Sequence, residues 1–220
     1  MKKLSLLIVI FLIILGVFLY FKGINHKKVE VKKNTMTEIS SQSFQNKKRV
    51  AIIIAFNNFK DEEYLGTIEE LKKKGIEVEP ISNSCGIAKG VSGTEVEIKK
   101  TIKEIKVDDY DGIVFIGGPG ALENLDNPDS YRIAKEAISK NKILGAICIS
   151  PVILAKSKVL EGKKATVWSS ILDKSPIKEL EKNGVIYLDQ PVVVDGNIIT
   201  GNGPKAAHQF GETIALELLK

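Results

Sequence analysis

Residues 143–151 read Ile143-Leu144-Gly145-Ala146-Ile147-Cys148-Ile149-Ser150-Pro151. Five uncharged, mostly apolar residues fit a short strand buried on both faces. Pro151 suits the first position of a helix, where its missing N–H costs nothing. Cys148 therefore sits in a tight strand–turn–helix elbow, the geometry that lifts a side chain above a sheet in a strained turn. A thiol beside a helix N-terminus meets the positive end of the dipole, which predicts a lowered pKa and a larger thiolate fraction. A buried core cysteine fits the same spacing equally well.

The same alternation of strand and helix extends outward. Val50–Ala55 and Ile113–Ile116 are β-branched runs expected to be central strands, and Ile76–Ile81 is a third. Asp61 to Lys74 carries Tyr64, Leu65, Ile68 and Leu71 at helical spacing, and Gly75 ends it. Asn127-Pro128 opens a helix to about Lys140. Later strands are expected at Ala165–Trp168, Val185–Leu188, Val192–Val194 and Ile198–Thr200, the last two joined by a hairpin turn at Asp195-Gly196. Gly203-Pro204 opens a final helix bearing Ile214, Leu216, Leu218 and Leu219. This order predicts one α/β domain over residues 49–220, with a mostly parallel sheet covered on both faces. Chemistry in such folds lies at the carboxyl ends of the strands.

The chain has 220 residues, 44% apolar and 27% charged, with two cysteines and a net charge of +5. That composition excludes a disordered, collagen-like or disulfide-stapled chain. Residues 1–49 hold ten of the 32 basic residues and two of the 27 acidic ones, so the remainder is mildly acidic. The positive charge belongs to the leader and gives no reason to expect nucleic acid as a partner.

Within that leader, Leu4 to Phe21 is an uncharged stretch of eighteen residues after Lys2 and Lys3. As a helix it is about 27 Å long, enough for a bilayer core. It is expected to be an uncleaved single-pass anchor over residues 1–22, with a cleaved signal as the alternative. Lysines flank the span on both sides, so the side of the membrane stays unassigned. Residues 23–48 are polar and read as a flexible tether.

Two further strand ends stand out. Gly117-Gly118 follows Ile116, where backbone N–H groups can approach a developing negative charge. An ordinary tight turn is the plainer reading. Asp61-Glu62-Glu63 opens the first helix, where acidic residues commonly just complement the dipole.

Taken in order, Phe59 to Glu63, Gly117-Gly118, Ala146 to Pro151, and Val192 to Thr200 leading into Gly203-Pro204 resemble the ThiJ/PfpI superfamily. Its fold is that of class I glutamine amidotransferases. The resemblance covers residues 50–220 and implies a flavodoxin-like three-layer sandwich that assembles as a homodimer or larger homo-oligomer. It places the nucleophile on Cys148 and the sulfur-facing glutamate on Glu63. The oxyanion hole falls on Gly117 and Gly118, with Ile149 directly after the nucleophile. A carboxyl beside a thiolate is pushed toward its protonated form, from which it can donate to sulfur.

Departures from the family pattern narrow the chemistry. Many members carry His after the nucleophile, where this chain has Ile149, and Gly where it has Ser150. A second histidine site of some members falls on Trp168. His26 lies in the tether and His208 in the last helix, so a Cys–His pair is largely lacking. Attack on a small reactive aldehyde or its protein adduct, with Glu63 as acid and base, needs neither histidine. The alternatives are an oxidative-stress sensor or chaperone-like module using Cys148 oxidation, and a peptidase-like hydrolase. Cys85 could serve as a resolving thiol. No metal-ligand spacing or phosphate loop is present, so no metal or cofactor is expected.

Overall fold

The computed structural model describes residues 47–220. Its main sheet has six strands. These are β1 (Arg49–Ile53), β3 (Glu77–Ile81), β6 (Gly112–Phe115), β7 (Ile143–Ile147), β10 (Val192–Asp195) and β11 (Ile198–Gly201). They run in the order β10-β11-β7-β6-β1-β3. Every neighbouring pair is parallel except the β10–β11 hairpin, in register from Val192↔Gly201 to Asp195↔Ile198. Gly196 makes its turn at φ 64°, a conformation that favours glycine.

β-Branched runs give the central strands because both faces are covered. Along β1, Val50 and Ile52 face one core, and Ala51 and Ile53 face the other; all four are fully buried. Helices α1 (Asp61–Lys73) and α6 (Ala207–Leu218) close the first face through Tyr64, Leu71, Phe210 and Ile214. The other face carries α2 (Gly120–Leu125), α3 (Pro128–Ser139), α4 (Pro151–Lys156) and α5 (Ser175–Lys182). They pack with Leu125, Ile133, Ile153 and Leu180 inward. The result is a flavodoxin-like α/β sandwich of three layers. Asn127 starts α3 as expected, its side chain accepting from the N–H groups of Asp129 and Ser130.

A small second sheet lies beyond the strands expected from the sequence. It joins β2 (Asn57–Phe59), β4 (Gly86–Gly90) and β5 (Glu95–Ile98). The strand expected over Ala165–Trp168 shortens to β8 (Lys164–Ala165), paired with β9 (Ile186–Tyr187).

The expected transmembrane helix requires correction. Among the described residues, no helix is long and apolar enough to cross a membrane. The longest, α1, has thirteen residues, about 20 Å against a hydrocarbon core of about 30 Å, and carries charge along one face. Single-pass membrane localisation therefore does not hold for these residues. The stretch 4–21 lies outside them, as does the proposed tether up to residue 46.

Candidate active site

Cys148 directly follows β7 with φ 63°, left-handed backbone that a non-glycine residue holds only when its surroundings fix it. Three hydrogen bonds do so. The Cys148 N–H donates to Gly201 O at 2.9 Å, and its carbonyl accepts from Trp168 N at 2.8 Å. Ser150 Oγ, fully buried, donates to Ile116 O at 2.9 Å. The elbow is thus tied to β6, to β11 and to the segment after β8.

Glu63 approaches from the first turn of α1 and is fully buried. Its Oε2 accepts from Gly117 N at 3.1 Å, and the carboxyl faces the Cys148 side chain across Gly117. Oε1 is buried without a hydrogen-bond partner among the described residues. Burial pushes the carboxyl from 4.5 up to about 7, against the hydrogen bonds of Cys148 and Gly117 and the nearby Lys60 charge.

The thiol behaves differently from the sequence expectation. Burial first, and then the Glu63 charge and hydrogen bond, hold it well above its ordinary value; the N–H groups of Gly118 and Ile149 pull the other way. The helix that follows has only six residues. Its dipole is too slight to offset removal from water. Cys148 and Glu63 are therefore a coupled pair, in which the carboxylate, once charged, keeps the proton on sulfur. When Glu63 is protonated, the repulsion disappears and its O–H can donate to sulfur.

The glycine pair divides its work. Gly117 N–H is committed to Glu63 rather than open to a ligand, a departure from its expected oxyanion role. A Cβ at Gly117 would lie 2.5 Å from Cys148 Cβ and 2.8 Å from Glu63 Oε2, so only glycine fits between the two groups. Gly118 (φ 114°) and Ile149 are the residues whose N–H groups face the sulfur.

Above the sulfur opens a cavity of about 310 Å³. Cys148, Glu63 and Gly118 line its base, and Pro119, Leu122, Ile149, Trp168 and Pro204 give it apolar walls. Lys60 also lines it. Lys60 directly precedes the acidic triplet, its one signal in the sequence, whereas Leu122 and Pro204 carry no chemical signal there. The structure brings together Cys148, Glu63, Gly117, Gly118 and Ile149.

His208 is not among them. It lies on α6, largely exposed, with Nδ1 2.9 Å from Glu70 Oε1. With Glu69 and Glu70 it forms a cluster of possible metal ligands, but Lys73 Nζ already sits 2.8 Å from both carboxylates. Cys85 is exposed and Cys148 buried, and neither is bridged.

A parallel α/β sandwich with a cysteine elbow facing a buried glutamate defines a class of thiol-dependent proteins. Within it, the chain belongs to the DJ-1/PfpI family, whose model matches residues 48–217. An uncharacterized protein of Methanocaldococcus jannaschii is 40% identical over 82% of this chain and 86% of its own length. A protein of Pyrococcus furiosus named deglycase PfpI is 31% identical over 70% of this chain and 89% of its own. The crystal structure of a ThiJ/PfpI domain protein from Brachyspira murdochii superposes with a TM-score of 0.73 at 26% identity, covering 80% of this chain and all of the other.

Proposed function

We propose that residues 49–220 form a Cys148-dependent enzyme acting on 2-oxoaldehydes or their protein adducts, with Glu63 as the acid and base. The observation that carries this is the buried Glu63 carboxyl, near-neutral in pKa, set against the only sulfur in an apolar cavity that no histidine of the described residues lines. A carboxyl poised at about 7 can both give and take a proton at neutral pH.

The Cys148 sulfur adds to the aldehyde carbon, forming a C–S bond, while the Glu63 carboxylate takes the thiol proton and passes it to the carbonyl oxygen as the carbonyl electron pair moves there. The N–H groups of Gly118 and Ile149 are close enough to stabilise the developing oxyanion. Glu63 then removes the hydrogen of the former aldehyde carbon as a proton and returns it to the neighbouring carbon, while the hydroxyl proton of the first carbon passes to the ketone oxygen of the second. The first carbon rises to a thioester and the second falls to an alcohol, with no outside oxidant. Water breaks the C–S bond, releasing a 2-hydroxy acid and the thiol. Peptide cleavage would further need a group to protonate a leaving amine, and the described residues lining the cavity supply no imidazole.

The deglycase name of the Pyrococcus furiosus relative supports this reading. A homodimer belongs to the same proposal. The test is methylglyoxal consumption by the purified chain beside Cys148→Ser and Glu63→Gln. The wild type should turn it over. Cys148→Ser should lose all turnover, and Glu63→Gln should lose at least about a hundredfold. A wild type that consumes no methylglyoxal and releases no amine from a glycated peptide would refute the assignment.

A further inference from the structure

The chemistry just described is indifferent to what else the aldehyde carries, but the cavity is not. Its walls are apolar, and among the described residues that line it Lys60 is the one cation. Lys60 is anchored to the site, because its backbone N–H donates to Gly117 O at 3.0 Å. Its side chain is 28% exposed, and Nζ lies 3.1 Å from Glu62 Oε2. Glu62 is the more exposed partner at 55%, and such rim pairs are weakly held and exchange readily. Neither addition of sulfur nor proton transfer by Glu63 uses a fixed positive charge at the rim. A cation bordering an apolar cavity draws in anions and orients them.

Resting on the aldehyde reading above, we propose that Lys60 is a specificity-determining residue selecting 2-oxoaldehydes whose tail bears a carboxylate. The tail carboxylate takes the place of Glu62 on Lys60 Nζ while the aldehyde carbon meets Cys148 Sγ. The tail stays chemically inert, so the reaction balances as before. For 4,5-dioxopentanoate the aldehyde carbon becomes a carboxyl, the adjacent ketone becomes an alcohol, one water is consumed, and 2-hydroxyglutarate leaves. Glu62 competes with the substrate for the same ammonium, so its charge lowers the preference rather than creating it.

Two measurements on the full chain test this, each as a ratio. The first is alkylation of Cys148 by iodoacetate relative to iodoacetamide, read at the Cys148 peptide because exposed Cys85 also reacts. Both reagents sample the same thiolate, so the ratio cancels any change in its ionisation. It should fall about fivefold in Lys60→Met and rise in Glu62→Gln. The second is kcat/KM for 4,5-dioxopentanoate relative to methylglyoxal, which should fall by a similar factor in Lys60→Met. Ratios equal in wild type and Lys60→Met would overturn the role of Lys60 even if both aldehydes are consumed. Turnover of neither aldehyde would instead overturn the aldehyde reading and the substrate class with it. A Lys60-dependent alkylation ratio would in that case still support Lys60 as the anion-selecting group.

Discussion

Three consecutive acidic residues at the start of α1 do three different jobs. Asp61 turns away from the cavity and accepts hydrogen bonds from Ser92 N and Thr94 N, both at 2.8 Å. Glu62 reaches outward to Lys60. Only Glu63 is fully buried against the sulfur. Its raised pKa links the site to stability. In the folded chain the carboxyl holds its proton up to about 7, whereas unfolded it releases it near 4.5. Between those values the folded state binds more protons than the unfolded one. The contribution of Glu63 to stability is therefore greatest below about 4.5 and falls as pH rises toward 7, by about 3 kcal/mol in all. Urea unfolding from pH 4.5 to 8 should show this decline in wild type and a flatter profile in Glu63→Gln. Parallel profiles would mean that the carboxyl is not held protonated by burial. Sequence alone separated Glu63 from its neighbours only through the family pattern, since dipole, charge and helical position are nearly the same for all three. Cys148 was legible as an elbow from Pro151, but not the direction of its pKa, which depends on burial and on a carboxylate 85 positions away in the chain.

At the scale of elements, the inner strands β1, β6, β7 and β11 read most clearly, because continuous runs buried on both faces have few other uses. The strands β4 and β5 did not. Gly86 and Gly90 bound the first, and β5 alternates Glu95, Val96, Glu97 and Ile98 with only Val96 and Ile98 buried. Their hairpin is held against α1 by Asp61, whose carboxylate fills the place a side chain at Gly90 would occupy; a Cβ there would lie 2.3 Å from Asp61 Oδ1. Burial works against ionisation of Asp61, but the hydrogen bonds from Thr94 and Ser92 outweigh it and keep its pKa below the usual value. Asp61→Ala would leave those two N–H groups without acceptors, a cost of about 1–3 kcal/mol. Amide exchange at Ser92 and Thr94 should speed up well beyond that at β6. Unchanged exchange at both positions would show that the hairpin does not depend on this carboxylate.

Across the whole molecule, the site is a meeting of strand ends. β7 brings Cys148, β6 leads into Gly117 and Gly118, β11 ends at Gly201, which accepts from the Cys148 N–H, and α1 delivers Glu63 from the same edge. The parallel order β11-β7-β6-β1 makes this possible, because it sends consecutive carboxyl ends to one side. The parallel direction was implied by the βα alternation, whereas the strand order depended on packing between distant segments. Phe210 shows how this packing supports the elbow. It is fully buried on α6 beneath the β7–β11 pair, where Cβ atoms added at Gly145 and Gly201 would come within 3.0 and 3.3 Å of its ring. Glycine on both strands makes room for that ring, and the ring fills the space the glycines leave. Phe210→Ala should cost about 3–5 kcal/mol, because surroundings fixed by two backbones can collapse only partly into the gap. Gly201 O also holds the Cys148 N–H, so loosening β11 should loosen the elbow. The variant is expected to lose stability in urea and also to alkylate faster at Cys148 under native conditions, as the elbow opens without global unfolding. Lost stability with an unchanged alkylation rate would confine Phe210 to the core and leave the elbow held from β6 and the Trp168 segment alone.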